Sequence, residues 1–135
     1  MFKINRPNKI PSDLKKAKNR GSKIPTDGEL FQTLKEICNY RCYLCEGEPE
    51  DPNIEHVIPQ SKGNEYKYKW DNLLLVCSSC NKIKRSKCDS SDKRILNPSI
   101  DIDNVEKIKI NVDINLYKFT IKYEGKNNKI KNTAE

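Results

Sequence analysis

The chain has 135 residues, of which 26 are Lys or Arg and 19 are Asp or Glu, so its net charge at pH 7 is +7. Only 35% of the residues are hydrophobic, which predicts one small domain whose thin apolar core needs a further source of stability. No segment approaches the roughly 20 consecutive apolar residues of a membrane helix, and the first residues lack the apolar stretch of an export signal. We therefore expect a cytoplasmic protein without a membrane partner, in which cysteines are used as thiolate metal ligands and not in disulfides.

The positive charge is concentrated in residues 1–25, which we expect to form a basic N-terminal arm. Asp13 is the only acidic residue there, whereas eight residues are basic: Lys3, Arg6, Lys9, Lys15, Lys16, Lys18, Arg20 and Lys23. Three prolines and few large apolar residues predict an arm that is extended or only locally helical. Such an arm is suited to lie along a phosphate backbone, although a solvated tail would have the same composition.

A helix is predicted over about residues 27–38. Thr26 and Glu29 have the spacing of a capping box, in which the two side chains bond the free N–H groups at the start of a helix. The apolar side chains that would face the core follow at helical spacing: Leu30, Leu34 and Ile37. We expect this helix to be a scaffold element.

Two Cys-x2-Cys pairs give a strong signal: Cys42 with Cys45, and Cys77 with Cys80. Each spacing allows a tight turn that directs two thiolates at one ion, and four thiolates in a tetrahedron make a structural zinc site. The 31 residues between the pairs exceed the roughly 15–20 of a simple zinc ribbon, so the pairs bracket an insertion in which we look for function. The alternative is four unrelated buried cysteines. Cys38 and Cys88 lack such spacing and are expected to be free thiols.

The insertion is predicted to hold two short strands separated by a polar loop. Residues 54–58 form a β-type run that Pro59 stops, and residues 73–76 form an apolar run short enough to be a strand. Residues 60–71 between them are mostly polar. After the second cysteine pair, a basic helix is predicted over about residues 79–87.

His56, the only histidine of the chain, follows Glu55 in the first of these strands. Strand alternation sends adjacent side chains to opposite faces, so both can serve one site only if the strand is bulged or strongly twisted. Asn72 ends the polar loop and Asn81 directly follows the last cysteine, so a zinc site would hold these pieces together. The alternative is that His56 is an ordinary surface or core residue.

Residues 101–135 are expected to form a C-terminal β-hairpin with a polar tail. Hydrophobic and polar residues alternate over residues 108–114, and they do so again over 117–123 after a break in phase. The tail from residue 126 onward is polar and is expected to fray.

Five elements, taken in order, resemble an HNH endonuclease with the ββα-metal fold. They are the first cysteine pair, the run 54–59 with its Glu-His, the run 70–73 with its Asp-Asn, the second cysteine pair followed by Asn81, and the basic residues 82–87. The resemblance covers about residues 38–88. It implies an α+β fold with a treble-clef-like ββα-metal core, held by the four-cysteine zinc site, in a nuclease domain of residues 26–100.

The resemblance also implies a role for four residues. His56 takes the place of the general base, and Glu55 takes that of the acidic metal ligand beside it. Asn72 matches the residue that braces the loop and helps to orient the histidine, and Asn81 matches the last metal ligand. Glu55 stands where Asp is commoner, and Asn81 stands where His is the name-giving residue; both departures bear on metal affinity.

Two metals and one reaction follow from this resemblance. Zn²⁺ would be structural on the four cysteines, whereas Mg²⁺ or Mn²⁺ would be exchangeable, because the oxygens of Glu55 and Asn81 favour hard ions. A neutral imidazole can take a proton from water at cytosolic pH. The implied reaction is phosphodiester hydrolysis, with double-stranded DNA as the expected substrate and RNA as the alternative.

Basic residues of the last predicted helix are candidates for phosphate contact: Lys82, Lys84, Arg85 and Lys87. Such contacts position a nucleic-acid backbone without reading its sequence, and the alternative is a solvated helix face. The competing hypothesis for the whole chain is a non-catalytic, zinc-held nucleic-acid-binding or adaptor module.

A weaker resemblance, which rests on the basic start and on residues 72–75 and 96–101, is to the small HNH proteins of retron and Septu anti-phage defence systems. It implies an ATPase partner protein, and it leaves the oligomeric state open.

Overall fold

The computed structural model describes residues 2–84 and 97–100 in full and, beyond them, the backbone of two strands. The elements in chain order are α1 (Ser12–Arg20), α2 (Glu29–Ile37), β1 (Pro52–His56), α3 (Asn64–Lys67), β2 (Leu73–Cys77), α4 (Ser78–Lys84), β3 (Ile108–Asp113) and β4 (Lys118–Tyr123). Single turns of 3-10 helix at Gln60–Lys62 and Trp70–Asn72 flank α3. No helix in the described part of the chain is long and apolar enough to cross a membrane.

β1 and β2 form an antiparallel pair, and α4 follows β2 without a linker. The register places Ile54 opposite Leu75 and His56 opposite Leu73, with no residue left over on either strand. This is the predicted ββα arrangement within an α+β chain, although β1 begins and ends two residues earlier than the sequence pattern indicates. The fold-class prediction is confirmed.

Two clusters of buried side chains form the core, and β2 contributes to both. The first combines β2 with the cysteine-bearing turn and the N-terminus: Ile4, Cys38, Cys42, Tyr43, Val57, Leu74, Leu75 and Val76. The second combines β2 with α1 and α2: Leu14, Leu30, Leu34, Trp70 and Leu73. Because β2 is buried on both sides, it reads in the sequence as a continuous apolar run.

The basic N-terminal segment packs onto this core at three points, and part of it forms the helix α1. Ile4 is 1% exposed and its N–H donates to the Pro98 carbonyl at 3.1 Å. The Arg6 guanidinium donates to two backbone carbonyls at 2.8 and 2.9 Å and lies 4.4 Å from the centroid of the Trp70 ring. Leu14 on α1 is also buried. These three contacts hold the segment against the core, and the division of the chain at residue 25 stays a prediction.

The predicted helix over 27–38 is confirmed as α2, but the capping box at its start is wrong. Gly28 caps α2 with a φ of 92° and without a side-chain bond. Instead, the carboxylate of Asp13 accepts from the Leu30 N–H at 2.9 Å, and the carboxylate of Glu29 accepts from the Ser12 N–H at 2.8 Å. Each helix thus supplies the carboxylate for the other helix start, which holds the two N-termini together.

The predicted C-terminal hairpin is confirmed. β3 pairs antiparallel with β4, with Ile110 opposite Ile121 and Val112 opposite Phe119. The predicted polar tail, Cys88 and the last two candidates for phosphate contact, Arg85 and Lys87, lie outside the described residues. The division into residues 26–100 and 101–135 stays a prediction.

Candidate active site and metal centre

The four paired cysteines lie together at one end of the β1–β2 hairpin. All four Sγ atoms are within 4.8 Å of one another, and those of Cys45 and Cys77 are 3.9 Å apart. A tetrahedral zinc ion with Zn–S bonds of about 2.3 Å needs sulfur atoms about 3.8 Å apart. The cluster therefore has the size and the donor set of a structural zinc site.

Backbone hydrogen bonds hold the two cysteine turns in place. The Tyr43 N–H donates to the Leu75 carbonyl at 3.0 Å and so fastens the first turn to β2. The Cys80 N–H donates to the Cys77 Sγ at 3.3 Å, a bond that favours the thiolate form of that sulfur. Cys38 lies outside the cluster, and burial raises the pKa of its thiol to about 11, so it is a neutral free thiol.

His56 ends β1 and is held by hydrogen bonds at both ring nitrogens. Its Nε2 is 2.9 Å from the Lys67 carbonyl oxygen, and its Nδ1 is 3.3 Å from Nε2 of Gln60. Because a carbonyl can only accept, the ring proton belongs on Nε2, and Nδ1 keeps its lone pair. Burial lowers the pKa of His56 below its ordinary value of 6.5. The ring is therefore a neutral base at pH 7.

Glu55 and His56 line one cleft of about 450 Å³, although they are adjacent on a strand. The strand pairing is regular through both residues, so no bulge turns them to the same side. The cleft lies at the end of β1, where both side chains can line it. The rest of the lining is Lys23, Ile24, Thr26, Ile54, Gln60 and Lys67.

Lys84 lies at the back of this site and not on the surface. Its Nζ forms an ion pair with the Glu55 Oε1 and donates to the His56 carbonyl at 2.9 Å. The Lys84 side chain is 1% exposed. This burial contradicts the predicted phosphate contact, because the face of α4 that carries Lys84 packs against β1. Lys82, two residues earlier, is exposed.

Asn72 braces the loop between the two strands. Its Oδ1 accepts from the Ile58 N–H at 2.7 Å, and its Nδ2 donates to the carbonyls of Ile58 and Tyr66 at 2.9 and 3.0 Å. The side chain is buried, so these bonds are shielded from water. The braced loop continues to the Lys67 carbonyl, which holds the histidine ring.

Glu55 and Asn81 are the predicted ligands of the hydrolytic ion. In residues 2–84 and 97–100 only Lys84 pairs with Glu55, through Oε1, which leaves Oε2 without a hydrogen-bond partner there. One free carboxylate oxygen beside a cleft fits a hard divalent ion. Asn81 is half-buried on α4, but it does not line the cleft and makes no hydrogen bond to Glu55. The structure thus unites Glu55 with His56 in one cleft, and Asn81 lies on α4, the helix that contacts β1.

Three groups that contribute to the site could not be identified from the spacing of residues in the sequence. The Lys67 carbonyl is a backbone group, and Lys23 reaches the cleft from 33 positions before His56. Gln60, four residues after His56, could have been found only if the chain between them were known to turn back.

The strand pair, the helix and the four cysteines define a ββα-metal domain with a candidate nuclease site. The family model for HNH endonuclease matches residues 42–96 of this chain. This match confirms the resemblance read from the motifs, over the segment that carries both cysteine pairs and the cleft residues Glu55 and His56. It supports nuclease activity and a nucleic-acid partner. No curated protein and no solved structure matches the chain.

Proposed function

We propose that this chain is a metal-dependent endonuclease that hydrolyses phosphodiester bonds in DNA, with RNA as the alternative substrate. The observation that carries the proposal is the cleft in which the neutral base His56 lies beside the Glu55 carboxylate. The match of the surrounding segment to the HNH endonuclease family supports the same reaction.

In this proposal Nδ1 of His56 is the atom that takes the proton from the attacking water. The Gln60 amide lies 3.3 Å from Nδ1, a long bond that a water molecule can replace. The Nε2–H stays bonded to the Lys67 carbonyl, which keeps the ring in one orientation and stabilises the imidazolium that forms. Asn72 acts indirectly, since it braces the loop that supplies this carbonyl.

The residues proposed to hold Mg²⁺ or Mn²⁺ are Glu55, through its free oxygen, and Asn81, through its amide oxygen. When bound, the ion supplies positive charge to the scissile phosphate and to the leaving oxygen. Zn²⁺ on the four cysteines is closed to substrate and stabilises the geometry of β1, β2 and α4. The two metals therefore have separate roles.

Basic side chains on and after α4 are proposed to contact phosphates: Lys82, Arg85 and Lys87. The exposure of Lys82 supports its part in this contact, and the charge of the following residues supports theirs. On the sequence resemblance alone, we further propose a role in the cytoplasm as the nuclease component of an anti-phage defence system, with an ATPase partner.

The test is cleavage of supercoiled plasmid, single-stranded DNA and RNA by the zinc-loaded chain, with Mg²⁺, with Mn²⁺ or with neither. His56→Ala is run beside it at equal zinc content, and Gln32→Ala, at an exposed position of α2 that does not line the cleft, serves as the surface control. We expect cutting that needs the added ion and falls about 100-fold or more in His56→Ala. Equal cutting by His56→Ala would overturn the mechanism. Binding without cutting by the wild type would favour the non-catalytic adaptor.

A further inference from the structure

The loop between α1 and α2 lies beside the cleft that holds His56. Lys23, Ile24 and Thr26 of this loop line the cleft together with Glu55 and His56 of β1. The loop belongs to the N-terminal segment, before the part of the chain that matches the HNH family model. One wall of the candidate active site therefore comes from outside the family segment.

This wall is fixed to the core. α1 ends at Arg20, and Gly21 caps it with a φ of 63°, the left-handed conformation that terminates a helix. The next residue, Ser22, accepts a hydrogen bond at its carbonyl from the Tyr68 hydroxyl. Ile24 then packs against the second core cluster. The position of Lys23 is thus set on both sides, by the bond at Ser22 and by the packing of Ile24.

The Lys23 ammonium is available to an anion. Among the described residues no carboxylate pairs with Lys23, and Glu55, the acidic residue in the cleft lining, already pairs with Lys84. The exposed surface of α1 adds four further positive charges: Lys15, Lys16, Lys18 and Arg20. A polyanion is attracted to such a surface, and a phosphate that enters the cleft meets Lys23 first among these charges.

We propose that the loop over residues 21–28 is the second wall of the substrate groove, and that Lys23 binds a phosphate of the nucleic-acid strand next to the phosphate that is cleaved. This proposal rests on the proposed function in one respect: that function identifies the bound strand as nucleic acid. It assigns the N-terminal segment to substrate placement at the site, and not to general attraction of nucleic acid.

The test measures binding of the full, zinc-loaded chain to a fluorescein-labelled DNA duplex, and to the labelled single strand, without added divalent ion. Affinity is recorded by fluorescence anisotropy over a series of KCl concentrations for wild type, Lys23→Gln and Lys16→Gln. Lys16 is the matched control, because it is exposed on α1 and does not line the cleft. A direct phosphate contact at Lys23 lowers the slope of log K against log [salt] by about 1 in Lys23→Gln. We expect a much smaller change in Lys16→Gln.

Equal losses in both variants would show that Lys23 only adds to a diffuse field, and would overturn the proposal. An unchanged slope in Lys23→Gln, with a wild type that binds and cuts, would overturn it while the nuclease function stands. In a third outcome, the slope changes in Lys23→Gln and not in Lys16→Gln while the wild type binds nucleic acid but never cuts it. That result would support the groove and contradict the nuclease function. A wild type that binds no nucleic acid would overturn both.

Discussion

The Lys84 ammonium and the Glu55 carboxylate form an ion pair that joins α4 to the end of β1. The Lys84 side chain is 1% exposed and that of Glu55 is 16% exposed, so both charges have lost most of their water. Contact with each other, and the further bond from Nζ to the His56 carbonyl, offset that desolvation. Lys84 therefore sets the positions of both Glu55 and the His56 backbone relative to α4.

Lys84→Met should destabilise the zinc-loaded chain by about 2–3 kcal/mol, because it leaves a largely buried carboxylate without its partner. Denaturant titration followed by circular dichroism measures the free energy of unfolding. Lys82→Met, on the same helix but exposed, should stay within about 0.5 kcal/mol of wild type. Adding Glu55→Gln to Lys84→Met should recover part of the loss. Equal unfolding midpoints for the two single variants would contradict the role of Lys84.

The local parts of this fold could be predicted from the sequence. The cysteine pairs, the two short strands and the helix after them depend on residues close together in the chain, and each has its own spacing or periodicity. The amphipathic pattern also places α2 correctly. Such features need no knowledge of which distant segments meet.

The parts that could not be predicted depend on contacts between distant residues. Glu55 and Lys84 are 29 positions apart, and Arg6 and Trp70 are 64 apart. A lysine within a basic run is ordinarily solvated, so no feature of the sequence indicates that Lys84 is buried. Its burial results from the packing of α4 on β1. Likewise, a basic N-terminal segment with few apolar residues has the composition of a solvated arm, and the sequence alone does not show which of its side chains contact the core.

The activity of the chain should rise with pH through a midpoint below 6.5. Burial lowers the pKa of His56 below that ordinary value, so the ring stays neutral, and able to accept a proton, at pH values where a free imidazole is half protonated. Cleavage rates at fixed metal concentration give the midpoint. Because His56 is the only histidine, its ring signal in a proton NMR titration gives the pKa directly. A titration midpoint above 6.5 would contradict the inference that burial of the His56 ring lowers its pKa.

His56 should also make the fold less stable in acid. The unfolded chain takes up the proton at its ordinary pKa near 6.5, whereas the folded chain resists it until a lower pH. The stability that the neutral ring contributes is therefore complete above pH 6.5 and falls as the pH drops below it. His56→Gln should remove this part of the pH dependence when unfolding free energies are compared between pH 7.5 and 5. A parallel pH dependence in both proteins would argue against a depressed pKa.

Asn72→Ala should loosen the loop between β1 and β2 and destabilise the chain by about 2–3 kcal/mol, because it leaves the Ile58 N–H and two carbonyls without their partner. Hydrogen exchange should show lost protection at the Ile58 amide. Asn53→Ala, at an exposed position of β1, is the matched control and should cost about 1 kcal/mol or less. A protected Ile58 amide in Asn72→Ala would show that the loop is held by other contacts.

Removal of the zinc site should unfold the chain, because a domain with so little apolar core depends on its metal for stability. Cys77→Ser breaks the four-thiolate cluster, so we expect loss of bound zinc together with aggregation or the loss of helical signal in circular dichroism. Cys38→Ala changes a buried cysteine outside the cluster and should keep the zinc content of the wild type. Zinc measured by atomic absorption, alongside the unfolding midpoint, separates the two. A Cys77→Ser chain with unchanged zinc content and an unchanged unfolding midpoint would contradict the four-cysteine site, because neither zinc binding nor stability would then depend on the Cys77 thiolate.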